Sequence, residues 1–159
     1  MSSALIGLGG NVGDVRATLA GAIPAIALRA GRLIARSSDY ATPPWGDEQQ
    51  PPYVNACVEI ETRLDPHTLL ALLQTIEGEN GRDRKKERRW GPRTLDLDLI
   101  AYDDLAIDTP ELVLPHPRLF ERAFVLVPLA EIAPHRLING RTAAAALKQV
   151  STEDITKLL

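Results

Sequence analysis

The sequence predicts an α+β fold with a largely antiparallel sheet. Residues 54–62 alternate apolar and polar side chains with a period of two, as a half-buried strand does. Apolar side chains recur at helical spacing within 15–26 and 69–76. The predicted elements follow the order strand, helix, strand, strand, helix, strand. This order is most simply accommodated by helices packed on a largely antiparallel sheet.

The composition is that of one soluble globular domain spanning residues 1–159. The chain is 45% hydrophobic and 25% charged, which argues against disorder. Its apolar runs are far shorter than the roughly 20 residues that a membrane span needs, and no signal sequence opens it, so we expect a cytoplasmic location. Cys57 is the single cysteine, which excludes an intrachain disulfide.

The first predicted strand and helix are separated by glycines. SALIGLGG begins as a buried strand, and Gly9 and Gly10 are interpreted as a tight turn at its end. Asn11 or Asp14 then caps a helix, because short polar side chains accept hydrogen bonds from its first N–H groups. Pro24 disfavours this helix, since proline removes an internal hydrogen bond.

The middle of the chain combines two strands with a stiff loop. Gly31 is the predicted helix stop, and residues 32–40 are a predicted strand. ATPPWGDEQQPPY has four prolines in thirteen residues, so it is not regular structure. Loops of this length in compact domains are often functional. The strand at 54–62 follows.

A second helix opens at Asp65-Pro66, a capping carboxylate followed by proline at the first helical position. Its core stripe is Leu69, Leu72, Leu73 and Ile76. Gln74 and Glu77 are predicted on a different face. A strand at 95–99, a proline-broken loop, a helix over 119–132 and one or two short helices from Thr142 complete the prediction.

Asp96 and Asp98 are the sharpest chemical feature. At positions i and i+2 of a strand they share one face, with Cβ atoms about 7 Å apart. Two close carboxylates repel each other, and a cation such as Mg²⁺ between them removes that cost. The pair alone fits a solvated strand face better. The adjoining arginines reverse this preference, because metal ions and arginines together are typical of phosphoryl-transfer sites.

Residues 82–93 form a basic block with seven basic and two acidic residues in an otherwise acidic chain. Arginine makes planar, bidentate contacts with phosphate oxygens, so this arginine-rich block indicates a local anion site. An exposed charged loop is the plainer alternative. Trp90 argues against it, because a bulky apolar residue amid such charge usually covers something.

The few aromatic residues gather near the irregular segments. Trp45, Tyr53 and Trp90 lie in or beside them, and Phe124 follows Arg122 closely. A flat heteroaromatic substrate needs ring faces for stacking and polar groups for its edge, which Asn55 offers on the polar face of its strand. Core packing is the alternative for Tyr53 and Phe124 taken singly.

His116 stands between two prolines, which fix the backbone and aim a donor at a phosphate. A structural histidine is the commoner outcome for a lone imidazole. The segment GLGGNVGD lacks the Gly-Lys-Ser/Thr of a Walker loop. It matches a Rossmann fingerprint only weakly, since no acidic residue lies about 20 positions on and the parallel-sheet context is missing.

Four segments, in order, resemble one known family. RWGPRTLDLDL at 89–99 is the most specific, and ATPPWG, PYVNACV and LPHPRLFERAFVL support it. The chain resembles the 6-hydroxymethyl-7,8-dihydropterin pyrophosphokinases of folate biosynthesis nearly from end to end. The resemblance implies a ferredoxin-like βαββαβ core in three layers, helices on both faces of the sheet. It also implies transfer of diphosphate from ATP to the pterin hydroxymethyl group, with release of AMP and use of two Mg²⁺ ions.

The resemblance also implies roles for particular residues. Asp96 and Asp98 would hold the metals, and with Arg82 and Arg93 they would be catalytic. The ATP site would comprise Gln74, Glu77, Arg82, Arg84, Arg93, Leu99, His116 and Arg122. The pterin pocket would comprise Thr42, Pro43, Trp45, Tyr53, Asn55, Trp90 and Phe124, with Tyr53 and Phe124 sandwiching the ring.

Two other functions stay open at this point. A nucleic-acid-binding module would use the basic block and bind with strong salt dependence. A metal-dependent phosphodiesterase would use the same aspartates without a pterin. The acidic remainder of the chain disfavours the first. We therefore expect ATP and a hydroxymethyl-dihydropterin as partners, no nucleic acid, no membrane, and a monomer.

Overall fold

An antiparallel sheet carries the candidate site. The computed structural model describes residues 1–43, 51–81 and 94–159. Within them the sheet has six strands, β1 (Ser2–Gly10), β2 (Gly31–Arg36), β3 (Tyr40–Thr42), β4 (Tyr53–Thr62), β5 (Asp96–Tyr102) and β8 (Thr156–Lys157), and a separate ladder has two, β6 (Ile107–Asp108) and β7 (Val113–Leu114). The helices are α1 (Val15–Arg29), α2 (Pro66–Glu79), α3 (Ala123–Ile132) and α4 (Ala143–Leu147), with a 3-10 turn at Leu119–Glu121.

The strand order confirms the predicted fold class. The sheet runs β5-β1-β4-β3-β8, β2 also pairs with β4, and every described strand pair is antiparallel. The chain order β1, α1, β2 with β3, β4, α2, β5 is therefore the βαββαβ arrangement of a ferredoxin-like core. The predicted strand at 32–40 is in fact two strands, which share one edge of β4.

Apolar clusters on both faces make three layers. On one face, Ile6 and Leu97 pack with Leu19 of α1 and Leu69 of α2. On the other, Leu5 and Ile100 pack with residues of α3 and α4, Leu126, Leu129 and Ala143. Neighbouring residues of one strand belong to opposite clusters because side chains alternate across a strand.

The strand β1 extends further than the sequence predicts. Gly9 and Gly10 do not turn the chain, so that interpretation was wrong: Gly9 pairs with Asn55 on β4 and Asp96 on β5, and Gly10 pairs with Val54. Pairing with a strand on both sides offsets the low strand propensity of glycine. The consequence for the site is that both glycines stay in the sheet.

The helix α1 begins at a capping aspartate. Asp14 accepts a hydrogen bond from the Ala17 N–H at 3.2 Å, whereas the buried Asn11 side chain donates to the Pro51 carbonyl at 3.1 Å. Pro24 lies on the exposed side and does not interrupt the helix, which ends at Arg29. Packing of the buried α1 face thus outweighs the hydrogen bond that proline removes.

Later elements also differ in detail from the prediction. The predicted helix over 119–132 is the 3-10 turn followed by α3, with an extended Arg122 between them. The proline-broken loop holds the ladder of β6 and β7. The tail forms α4, as expected, and then the short strand β8, which pairs with β3. Among the described residues, no helix is both long and apolar enough to cross a lipid bilayer.

Candidate functional site

A cavity of about 340 Å³ opens on the face of the sheet that α3 covers in part. It lies beside the ends of β1, β4 and β5 and the segment leading into α3. Its lining is Gly7, Leu8, Gly9, Thr42, Tyr53, Asn55, Ala56, Cys57, Asp96, Asp98, His116, Arg118, Glu121, Arg122, Phe124 and Val125. It therefore joins acidic, basic, amide and aromatic groups.

Two rows of paired residues form the floor of this cavity. Each row crosses β5, β1 and β4 in turn; the rows are Asp96, Gly9, Asn55 and Asp98, Gly7, Cys57. Residues paired across neighbouring strands point to the same face of a sheet. Because the central residue of each row is glycine, no side chain of β1 stands between the aspartates and β4.

Asp96 and Asp98 share the cavity face, as the sequence predicts. Both are half-buried, while Leu97 between them is buried on the opposite face. The described residues hold no group of three His, Cys, Asp or Glu side chains arranged around a common metal position. Two carboxylates fit Mg²⁺, which takes one or two protein carboxylates and fills its other positions with water and substrate phosphates.

Glu77 supports the strand that carries the aspartates. The prediction that Glu77 lies on a different face from the core stripe was wrong. Glu77 is 1% exposed and lies beside Leu73 and Ile76 on the buried side of α2. Its Oε2 accepts a hydrogen bond from the Leu97 N–H at 2.7 Å. A buried carboxylate is tolerated when hydrogen bonds replace its hydration, and this one satisfies a donor on the edge strand.

Amide and aromatic groups occupy the opposite side of the floor. The Asn55 Nδ2 donates to the Thr42 Oγ1 at 3.2 Å, and both residues are buried. Tyr53 on β4 and Phe124 on α3 also line the cavity. The arrangement suits a flat heteroaromatic ligand, because aromatic side chains from two elements and a buried amide line the same cavity.

His116 belongs to a cationic wall with Arg118 and Arg122. Its Nδ1 accepts a hydrogen bond from the Arg118 N–H at 3.2 Å, so the proton of the neutral ring lies on Nε2. Burial lowers the pKa of His116 to about 4, the arginines add to the effect, and Asp96 opposes it. At neutral pH the ring is therefore an uncharged hydrogen-bond donor.

Cys57 has no nucleophilic role in this arrangement. Burial raises the pKa of its thiol, and the nearby Asp98 raises it further. The Sγ lies 3.8 Å from the Val125 carbonyl oxygen, to which it donates. A thiol that stays protonated is a poor nucleophile and a poor metal ligand, so the chemistry of the cavity falls to its oxygen and nitrogen groups.

The structure brings many, but not all, of the predicted site residues together. Those on the cavity wall are Thr42, Tyr53, Asn55, Asp96, Asp98, His116, Arg122 and Phe124. Pro43 and Gln74 are exposed outside it, and Leu99 is buried in the core on the other face, which leaves only its backbone for an ATP contact. Trp45, Arg82, Arg84, Trp90 and Arg93 lie outside the described residues.

Sequence reasoning missed several cavity residues. Gly9 is interpreted from the sequence as a turn residue, and Gly7 is not singled out. Their i, i+2 spacing on a strand nevertheless places them on one face. Arg118 and Glu121 lie within LPHPRLFERAFVL but were not singled out. The i, i+2 glycines were a readable signal. The exposure of Arg118 and Glu121 to the cavity depends on how the turn before α3 packs.

Comparison with known proteins gives the family. The profile of the family described as 7,8-dihydro-6-hydroxymethylpterin-pyrophosphokinase (HPPK) matches residues 5–134. A 2-amino-4-hydroxy-6-hydroxymethyldihydropteridine pyrophosphokinase of Methylorubrum extorquens is 50% identical over 159 residues, covering 99% of each chain. The chain belongs to the HPPK family. Enzymes of the same name from Haemophilus influenzae and Bacillus subtilis are 42% and 48% identical, covering 99% and 81% of this chain.

Solved structures share the HPPK fold. A variant of Plasmodium falciparum HPPK-DHPS with pterin and p-hydroxybenzoate superposes with a TM-score of 0.79 at 13% identity, over 98% of this chain and 46% of that one. HPPK-DHPS in complex with substrates gives a TM-score of 0.74 over 93% and 43%. This chain thus spans less than half the length of those proteins, and the likeness establishes the fold.

Proposed function

We propose that this chain transfers diphosphate from ATP to the hydroxymethyl group of 6-hydroxymethyl-7,8-dihydropterin, as the names of its relatives indicate, with Mg²⁺ bound by Asp96 and Asp98. The observation that carries the proposal is the cavity floor. Two carboxylates lie on one side of Gly7 and Gly9, and a buried amide lies on the other. A ligand that uses both sides must carry one group that binds a metal ion and, close to it, a flat ring with a polar edge.

The pterin binds on the side of the cavity that holds Asn55. The amide offers one donor and one acceptor to the edge of the ring, and Tyr53 and Phe124 offer ring faces. This places the hydroxymethyl oxygen toward β1, between the amide and the aspartates. Orientation of this kind removes much of the entropic barrier to a two-substrate reaction.

The triphosphate binds on the side of the aspartates and the cationic wall. The His116 Nε2–H and the guanidinium groups of Arg118 and Arg122 offer donors to phosphate oxygens. In the reaction the hydroxymethyl oxygen bonds to the β-phosphorus and the bond from that phosphorus to the AMP oxygen breaks. The hydroxyl proton passes to solvent, and AMP leaves.

When bound, Mg²⁺ ions offset charge on the phosphate oxygens and hold them in line for displacement. Asp96 and Asp98 would hold them, because carboxylate oxygens are the donors that this ion prefers. Arg82 and Arg93, which the family resemblance assigns to the ATP site, would add positive charge. The account requires no general base, since positioning and electrostatics carry most of such catalysis.

The aspartates provide the first test. We expect Asp96→Ala and Asp98→Ala each to lower Mg²⁺-dependent, pterin-dependent AMP formation by about 10³-fold or more, because loss of a metal ligand removes charge compensation at the reacting phosphate. Asp104→Ala is the matched control, since Asp104 is an exposed acid just beyond β5. Activity is measured by separating AMP from ATP, and folding by circular dichroism. Full activity in either site variant would refute the metal assignment.

The same assay separates the alternatives from the sequence. A phosphodiesterase would hydrolyse simple phosphodiesters when no pterin is present. A nucleic-acid-binding module would form salt-sensitive complexes with RNA or DNA and release no AMP. Formation of AMP only when ATP, Mg²⁺ and hydroxymethyl-dihydropterin are all present supports the proposed reaction.

A further inference from the structure

We propose that Gly9 is a positioning residue for substrate recognition. Because it has no side chain, the Asn55 amide oxygen has room to take its present orientation. The inference rests on the proposed function, in which that amide meets the substrate edge. Gly9 would thus influence substrate specificity although it has no side chain that could contact the substrate.

The geometry around Gly9 singles out one atom. A methyl group placed on Gly9 would lie 2.4 Å from the Asn55 Oδ1. Its next contacts, the Asn55 Cγ and the Val54 carbonyl oxygen, are each 3.4 Å away. Heavy atoms attract at about 3.5–4.0 Å and repel well inside that range. The backbone can therefore keep its place, and the amide oxygen is what must move.

The Asn55 amide has little freedom to move without losing its present contacts. The residue is 9% exposed, and its Nδ2 donates to the Oγ1 of Thr42, which is 6% exposed. Rotation that takes Oδ1 away from β1 also takes Nδ2 away from the hydroxyl. A binding group that is displaced by even 1 Å from its productive position loses much of its effect.

Gly7 offers a graded comparison on the same strand and the same face. A methyl group there would lie 3.3 Å from the Ile100 Cδ1, the end of a flexible side chain, and 4.0 Å from the Asp98 carbonyl oxygen. Crowding at Gly7 is thus slight and does not involve the amide. Gly21 is the control. It lies on α1, which packs on the opposite face of the sheet, and an added methyl group there meets nothing within 4 Å.

The decisive experiment is a double-mutant cycle. We expect Gly9→Ala to raise the KM for hydroxymethyl-dihydropterin by about tenfold, the size of one lost hydrogen bond to the substrate, with the KM for ATP changed by less than about twofold. Gly7→Ala has a smaller effect and Gly21→Ala none. In the Asn55→Ala background, we expect Gly9→Ala to cause no further rise in the KM for the pterin, since the effects of residues that act through each other are not additive.

A folding defect of the Gly9→Ala protein can be distinguished from a failure of the inference. If Gly9→Ala alone fails to fold and Gly9→Ala with Asn55→Ala folds, the amide is the group that needs the space, and the inference stands. An additive effect in the cycle, an unchanged KM for the pterin in a folded Gly9→Ala protein, or misfolding of both variants would overturn it. A wild-type chain that forms no AMP with the pterin would instead refute the proposed function.

Discussion

At the scale of single residues, His116 shows how the site determines the state of a side chain. The sequence predicts a donor aimed by flanking prolines, and the structure explains why the donor is neutral. The Arg118 N–H occupies Nδ1, so Nε2 keeps its proton. Burial and two guanidinium groups disfavour a charged imidazole. An imidazole with this pKa stays a neutral donor over the whole physiological pH range.

This state of His116 predicts a titration. The pKa of His116 lies near 4 in the folded protein, below the usual value of 6.5. Between these values the unfolded chain binds more protons, so the contribution of neutral His116 to stability is present above pH 6.5 and disappears as the pH falls toward 4. NMR titration of the metal-free protein measures it, with the resonance assigned by its loss in His116→Asn. A midpoint near 6.5 would contradict this account.

The residues show where sequence reasoning succeeds and where it fails. Asp96 and Asp98 were predictable because a period of two fixes which face a strand residue occupies. The place of Gly9 in the sheet was not, since it depends on Asn55 and Asp96 from two distant strands. Glu77 was misplaced because a buried carboxylate is rare and becomes tolerable only when a donor such as the Leu97 N–H meets it.

At the scale of elements, the site depends on how α2 holds the strand β5. This strand is at the edge of the sheet, and the Leu97 N–H finds its partner in Glu77 rather than in another strand. The bond lies between Asp96 and Asp98 along the chain. It therefore connects the helix to the part of the strand that carries both carboxylates.

Substitution of Glu77 tests this connection. We expect Glu77→Ala to lower the free energy of unfolding by about 1–3 kcal/mol, because it leaves the buried Leu97 N–H without an acceptor. Glu77→Gln keeps an acceptor and is expected to lose less. Gln74→Ala is the control, since Gln74 is exposed on the same helix. Urea denaturation provides the measurement. Equal stability of the Glu77→Ala and Gln74→Ala proteins would mean that the bond contributes nothing.

At the scale of the whole molecule, a buried aspartate joins distant parts of the chain. Asp39, 5% exposed, accepts from the Arg16 Nε of α1 at 3.0 Å and from the Arg36 Nη1 at 3.1 Å. Its carbonyl oxygen accepts from the Leu158 N–H at 2.9 Å. The break between β2 and β3 thus contacts both α1 and the end of the chain that follows β8, and β3 ends at the cavity residue Thr42.

This cluster predicts a contrast between two ion pairs. Asp39→Ala is expected to cost about 1–3 kcal/mol of unfolding free energy, because it removes two hydrogen bonds from arginines to a buried carboxylate. Glu61→Ala, which removes the pair with the 71% exposed Arg32, is expected to cost less than about 1 kcal/mol. Denaturation curves of the two variants are compared at one salt concentration. A larger loss in Glu61→Ala would contradict the assigned importance of Asp39.

The global topology was only partly readable from the sequence. Helical stripes and strand alternation predict the βαββαβ order, because each reports burial within its own segment. The split at Ser37–Asp39 and the strand β8 were not predicted, since a two-residue strand is defined by its partner. Pro24 was given too much weight as a helix breaker, because tertiary packing outweighs a local loss of one hydrogen bond.

The most direct test of the account is a crystal structure with hydroxymethyl-dihydropterin, a non-hydrolysable ATP analogue and Mn²⁺ in place of Mg²⁺. We expect anomalous density for the metal within bonding distance of both Asp96 and Asp98, and pterin density between Tyr53 and Phe124 with its edge at the Asn55 amide. Metal bound elsewhere, or a pterin outside this cavity, would contradict the account.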